Sequence, residues 1–329
     1  MPPVTLKDVA QHAGVSHQTV SNVLNGHPHI RPTTKERVLA SIAALDYYPN
    51  QAAKALREAR TTTVCCVFYG HNPEDISDPY RNLVQSAFIA EAQAHGYSIT
   101  TAFVNDDADL TQLRQRFLQR EFGGAVIVGT VLTPSQVHTF QAWEMPVVLF
   151  DHALPSTTNV TADYPEGMAA LVQHHVLQGR RRLALIIPEQ DLGSTSIRRR
   201  EGFLQTCARA GVEGAVYDGT WSYDAGYRAM QALWAGESRP DAVLGGNDRI
   251  GAGALRAAHD LGLRVPEDVS ISGFDDFEFA QFTTPSLTTV HIPHGDMARQ
   301  AVRGLISLID GTESESRVFP LSLVVRESA

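Results

Sequence analysis

His17, Gln18, Ser21 and Asn22 lie close together near the start of the chain, and all four side chains end in hydrogen-bonding groups. None carries a large apolar group, and each is of a type that can read a base edge in a DNA groove. Other reactive residues lack the spacing that chemistry needs. Asp275, Asp276 and Glu278 are carboxylates of the kind a glycosidase uses, but near adjacency does not set the required separation of the pair. His174 and His175 are neighbours on a predicted helix and point about 100° apart, which does not suit joint metal binding. Gly251-Ala252-Gly253 lacks the third glycine of a dinucleotide loop, and there is no P-loop lysine, G-x-S-x-G or H-E-x-x-H. Three cysteines, with Cys65 and Cys66 adjacent, form neither a disulfide framework nor a metal-ligand spacing and read as small buried hydrophobes. Neither an enzyme nor a metal or cofactor site is expected.

The four polar residues near the start need a frame. Leu6, Val9, Ala10 and Ala13 recur at i, i+3, i+4 and i+7, which predicts an amphipathic helix after Thr5, with Thr5 and Asp8 as a capping pair. Gly14 ends it. Ser16 then caps a second helix over His17 to Leu24 whose apolar stripe is Val20, Val23 and Leu24. Two helices joined by a short glycine-containing turn make the helix-turn-helix layout. A third helix follows Pro32, capped by Thr33 or Thr34, and its stripe of Val38, Leu39, Ile42 and Leu45 covers the other two. On this frame His17, Gln18, Ser21 and Asn22 share the exposed face of the second helix.

Charge supports a division of labour. The 329 residues carry a net charge of −9, yet residues 1–60 hold seven Lys and Arg against four Asp and Glu, leaving a basic head on an acidic body. That is the pattern expected when only the head meets phosphates. Hydrophobic residues at 43% and charged residues at 19% are ordinary globular usage, and no apolar run reaches the length of a membrane span. The opening MPPVTLKDVAQ lacks the basic start and apolar core of a secretory signal, so a cytoplasmic location is expected.

From Thr63 onward, short β-rich runs (TVCCVFY, YSITTAF, GAVIVG, PVVLFD, then RLALII, DAVLGG and DVSISGFDD) alternate with helical stripes. Regular alternation predicts parallel sheets covered by helices. Each half ends on an apolar run closed by an aspartate, Asp151 or Asp275. Ligands in open α/β sheets sit at the carboxyl ends of strands, so two lobes presenting such ends to each other make a cleft.

The stretch VTLKDVAQHAGVSHQTVSNVLNG followed by LDYYPNQAAKAL resembles the head of the LacI/GalR family of bacterial transcription regulators, without a gap from Val4 to Leu56. DISDPYRNL, MPVVLFDH, RRREGF, PDAVLGGNDRIGAGAL, LRVPEDVSISGFDD and the terminal VVRES look like that family's effector-binding core. The resemblance implies an α/β chain: an N-terminal helix-turn-helix DNA-binding head over residues 1–48 and a hinge helix and linker over 49–62. A two-lobed periplasmic-binding-protein-like core with parallel sheets follows. Its N-terminal lobe would span 63–161 and 291–319 and its C-terminal lobe 162–290 and 320–329, with three crossings near Thr161, Val290 and Pro320.

In the family the second helix enters the major groove, which implies base contacts by His17, Gln18, Ser21 and Asn22. Asn22 departs from the arginine frequent there, and Asn favours an adenine edge where Arg favours guanine. Pro49 to Arg57 matches the hinge helix. So short a segment is not a stable helix in water, so it would order only beside its dimer mate on DNA, with Asn50 as a further DNA contact and Leu56 wedged into the minor groove. The family's effector contacts fall on Asp151, Arg199, Trp221, Asn247 and Asp275, with Tyr80 and Arg81 beside them. Aspartates and Asn247 suit vicinal hydroxyls, Arg199 offers a bidentate fork and Trp221 a flat face. DISDPYR carries Asp78 and Arg81 where the family usually has Asn and an aromatic. If Arg81 and Arg199 both face the cleft, a sugar acid or sugar phosphate fits; otherwise a sugar or sugar derivative is expected, with a purine as the alternative. The expectation is a homodimeric regulator, most simply a repressor, on a near-palindromic operator. The chain stops at Ala329 without the heptad tail of tetrameric members, so a dimer is expected.

Overall fold

The computed structural model describes residues 4–24, 27–47, 61–129, 134–154, 156–189 and 195–329. The hinge expectations, Asn50 and Leu56 among them, lie outside the described residues. Two compact units result, Met1–Thr61 and Thr62–Ala329.

The described residues of the first unit form three helices, α1 (Leu6–Ala13), α2 (His17–Leu24) and α3 (Pro32–Ala44). Thr5 and Asp8 form a reciprocal capping box, with the Thr5 backbone N–H donating to Asp8 at 2.8 Å, and Gly14 ends α1 at a φ of 60° that a residue with a Cβ resists. The Thr19 N–H donates to Ser16 Oγ at 3.1 Å at the start of α2. Val9, Ala10, Ala13, Val20, Val23, Val38 and Tyr47 form the core. Two expectations fail in α3. Pro32 itself takes the first turn behind Arg31, since its fixed φ and missing N–H suit that position, so Thr33 and Thr34 lie inside the helix and cap nothing. Leu39 is 47% exposed instead of buried.

The second unit is a two-lobed α/β core. Lobe 1 begins with β1 (Thr63–Tyr69), α4 (Pro79–Ala94), β2 (Ser98–Val104), α5 (Asp107–Leu118), β3 (Ala125–Gly129), α6 (Pro134–Ala142), β4 (Val147–Phe150) and β5 (Thr158–Ala162). Lobe 2 follows with α7 (Tyr164–Leu177), β6 (Arg182–Ile186), α8 (Thr195–Ala210), β7 (Glu213–Tyr217), α9 (Tyr223–Ala235), β8 (Ala242–Gly245), α10 (Asp248–Asp260) and β9 (Ser270–Ser272). The chain then runs through β10 (Thr289–His291), α11 (His294–Ile309), β11 (Arg317–Phe319) and β12 (Ser322–Val324). The first sheet is parallel in the order β11-β5-β4-β3-β1-β2, the second parallel in the order β7-β6-β8-β9, and β10 pairs antiparallel with β12. The chain passes between the sheets after Ala162, between β10 and α11, and between β11 and β12. A two-lobed core built on parallel sheets is the expected fold class. α11 returns to pack on α4, β4 and β5, and β11 adds a strand beside β5, so residues from the end of the sequence complete the first lobe.

Candidate functional site

A cleft of about 500 Å³ opens between the carboxyl ends of the two sheets, in the size range of small-ligand sites. Its walls come from the strand ends. Gly70 and His71 follow β1, Asp151 follows β4, Asn247 follows β8, and Asp275 and Phe277 follow β9. Asp75, Asp78, Tyr80, Arg199, Trp221 and Arg249 add charged and aromatic groups to the lining.

Asp151 is 5% exposed and sits at a φ of 58°, a region few residues with a side chain enter. Tyr80 donates its hydroxyl to Asp151 Oδ2 at 2.6 Å, and Tyr164 donates to Oδ1. Burial, and then the Asp151 charge, push both phenols well above their ordinary range, so both stay protonated as donors. A buried carboxylate without a cation partner is thereby held by two hydroxyls, with lone pairs left for a ligand.

Asp275 is 6% exposed at a φ of 124°, and Asp276 follows at 61°. Two consecutive residues in positive φ turn the paired aspartates to opposite uses. Asp275 accepts from Arg199 at 3.2 Å in the cleft wall. Asp276 accepts from Arg326 at 2.5 Å and lies 3.0 Å from His291, outside the cleft lining. Arg199 is the most enclosed cation of the site. Its guanidinium lies 4.5 Å from the Phe274 ring centroid, 4.9 Å from Tyr164 and 5.4 Å from Trp221, and it also donates to the Gly246 carbonyl. Its terminal nitrogens are engaged, so it is not the open fork expected of it. Asn247 caps α10 by accepting from the Ile250 N–H at 2.9 Å, which leaves its amide N–H donors for the cleft.

Asp151, Arg199, Trp221, Asn247, Asp275 and Tyr80 are thus brought together, and Arg81 is not. Arg81 is 5% exposed and donates to the Asn72 carbonyl at 2.8 Å and to the Asp75 carbonyl, with its guanidinium 5.7 Å from the Phe103 ring centroid. Loop carbonyls satisfy a buried guanidinium better than an open cleft would, so this side chain turns into lobe 1. Sequence reading missed Tyr164, His71, Asp75, Arg249 and Phe277 as lining or support. Arg249, two residues from Asn247 at the same strand end, carried the clearest signal. Burial and then Arg81 lower the His71 pKa to about 4, so that imidazole is neutral near pH 7.

On α2, His17 and Gln18 are exposed and Asn22 is half-buried, with Gln18 Nε2 donating to Asn22 Oδ1 at 3.0 Å. Ser21 is buried, contrary to expectation. At about 100° per residue it falls only about 60° from Leu24 around the helix, at the margin of the apolar stripe.

A helix-turn-helix unit followed by a two-lobed α/β core with a polar, aromatic-walled cleft defines a DNA-binding regulator that responds to a small molecule. Residues 5–50 match bacterial regulatory proteins of the lacI family, and residues 172–329 match a periplasmic binding protein-like domain. The chain is 30% identical to the HTH-type transcriptional repressor PurR of Erwinia tasmaniensis, over 98% of this chain and 96% of that one. It is similar to the lac repressor in the crystal structure of the dimer bound to operator and the anti-inducer ONPF, with a TM-score of 0.89 at 27% identity over 99% of each chain. It is also similar to the transcriptional regulator CelR in its cellobiose complex, with a TM-score of 0.75 at 28% identity over 99% of this chain and 100% of that one. The chain belongs to the LacI family, whose members regulate transcription and are not enzymes. No helix among the described residues is long and apolar enough to cross a membrane.

Proposed function

We propose that this chain is a cytoplasmic repressor that binds a near-palindromic operator as a homodimer and is controlled by an uncharged sugar or sugar derivative in the interlobe cleft. The observation that carries the effector class is the pairing of charges in the cleft. Arg199 is engaged with Asp275 and Arg249 with Asp75, while Asp151 and Asp78 have no cation of their own. With Arg81 withdrawn, no cation among the described lining residues is left over for a carboxylate or phosphate, and an anion would meet Asp151 unscreened. Hydroxyls suit Asp151, Asp275 and Asn247, and a ring suits the faces of Trp221 and Phe277. The operator-bound lac repressor dimer and the cellobiose complex of CelR support the DNA, dimer and sugar parts of this reading. His17, Gln18 and Asn22 are the base readers we assign, and two heads are needed because one buries too little surface for tight specific binding.

A thermal-shift panel of neutral sugars, sugar acids, sugar phosphates and purines tests the effector class, because a ligand well above its dissociation constant raises the melting temperature. A neutral sugar should stabilise the protein and change its retention of an operator fragment in a gel shift. Stabilisation by sugar acids or phosphates alone would refute the charge argument. Stabilisation by purines alone would replace the sugar with a flat heterocycle on the same aromatic walls.

A further inference from the structure

We propose that Asp75 and Arg249 form a latch that holds the two lobes together across the cleft, with Arg81 as the residue that positions it. What the latch encloses rests on the effector reading above; the contact itself does not.

Both ends of the pair line the cleft and they come from different lobes. Asp75 lies on the loop between β1 and α4 in lobe 1, and Arg249 is in the first turn of α10 in lobe 2. Arg249 donates to Asp75 Oδ2 at 3.1 Å, and Ser77 donates to Oδ1 at 2.9 Å. Each charge is placed in advance by its own lobe. The Arg249 guanidinium lies 5.3 Å from the Tyr223 ring centroid and the residue is only 9% exposed. On the other side, Arg81 gathers the carbonyls of Asn72 and Asp75 while Asn82 donates to the Ile76 carbonyl at 3.0 Å, so residues 72–76 form a fixed flap. A free loop would lose conformational entropy each time it presented its carboxylate, and the fixed flap has lost it already. A partly exposed ion pair adds little to the folding of either lobe. Between two lobes that move as bodies, the same small energy shifts the ratio of open to closed forms severalfold. Arg81 thus acts on the cleft through the flap, from a place where no ligand touches it.

Hydrogen–deuterium exchange on the full-length protein without ligand tests this. Exchange is read on the lobe opposite each substitution, so that loosening of the substituted segment itself is not counted. Asp75→Ala should raise exchange at residues 247–252, and Arg249→Ala should raise it at residues 72–78, each about fivefold. Arg81→Met, which keeps bulk over Phe103, should raise exchange at residues 247–252 as Asp75→Ala does. Unchanged exchange on the opposite lobe would overturn the latch. Because no ligand is present, failure of the thermal-shift panel and failure of the latch are separate results.

Discussion

Asp151 shows how far a single residue can be read. An aspartate closing an apolar run marks a strand end, and that much is local. Its two tyrosine donors are 71 and 13 positions away, one on each lobe, and no spacing rule announces them. Arg81 is the opposite case, since its type was visible and its direction was not, because the direction depends on which loop carbonyls fall within reach. Tyr164→Phe tests the Asp151 assembly. It removes one of two donors to a buried carboxylate while keeping the ring beside Arg199, so stability should fall by about 1–2 kcal/mol with the fold retained. Chemical denaturation measures that loss. The neutral sugar found by the panel should bind about tenfold more weakly by calorimetry. Unchanged stability and affinity would mean that Tyr80 alone suffices.

At the scale of elements, periodicity and apolar runs revealed most of the helices and the parallel strands, because both patterns are local consequences of one-sided burial. Pairings between distant segments were not legible. The antiparallel pair β10 with β12, and β11 beside β5, follow from where the chain returns and not from any local signal. Gly251-Ala252-Gly253 read as an incomplete dinucleotide loop, whereas the structure gives Gly253 a packing role. A Cβ there would come within 1.9 Å of the Tyr223 carbonyl oxygen, so α9 and α10 touch backbone to backbone at this point. Gly253→Ala must push the helices apart and should cost about 3 kcal/mol or more, moving Tyr223 and Arg249 in the cleft with it. Gly236→Ala is the control, because its Cβ would meet nothing nearer than 3.5 Å. Urea midpoints compare the two. Equal effects would mean that lost glycine flexibility, and not the helix contact, sets the result.

For the whole molecule, part of the pH dependence of stability near neutrality comes from His175, His71 and Asp248, buried groups that bind protons differently in the folded and unfolded chain. His175 is clasped between Ser270 Oγ and Ser272 Oγ, each at 2.9 Å, and burial followed by the charges of His174 and Arg180 lowers its pKa from 6.5 to about 3. His71 is lowered to about 4. Asp248 goes the other way. Fully buried, and then opposed by Asp275, it is raised from 3.8 to about 7, while Thr289 donates to it at 2.5 Å and the Phe277 N–H at 2.7 Å. As pH falls below 6.5, the unfolded chain takes up two histidine protons that the folded chain refuses, which favours unfolding. Between 3.8 and about 7 the folded chain holds a proton on Asp248 that the unfolded chain has released, which favours folding at the acid end of that window and is lost as pH rises through it. The histidines outnumber the aspartate by one proton between about pH 6 and 4.5, so stability from these groups should fall by about 1.4 kcal/mol per pH unit on acidification, from a maximum near about pH 7. Urea denaturation across that range measures the slope. His175→Gln should remove one histidine proton from the balance and flatten the curve, whereas Asp248→Asn should steepen it toward about 2.7 kcal/mol per pH unit. If both variants kept the slope of the parent, the acid sensitivity would belong to surface carboxylates and not to this buried set.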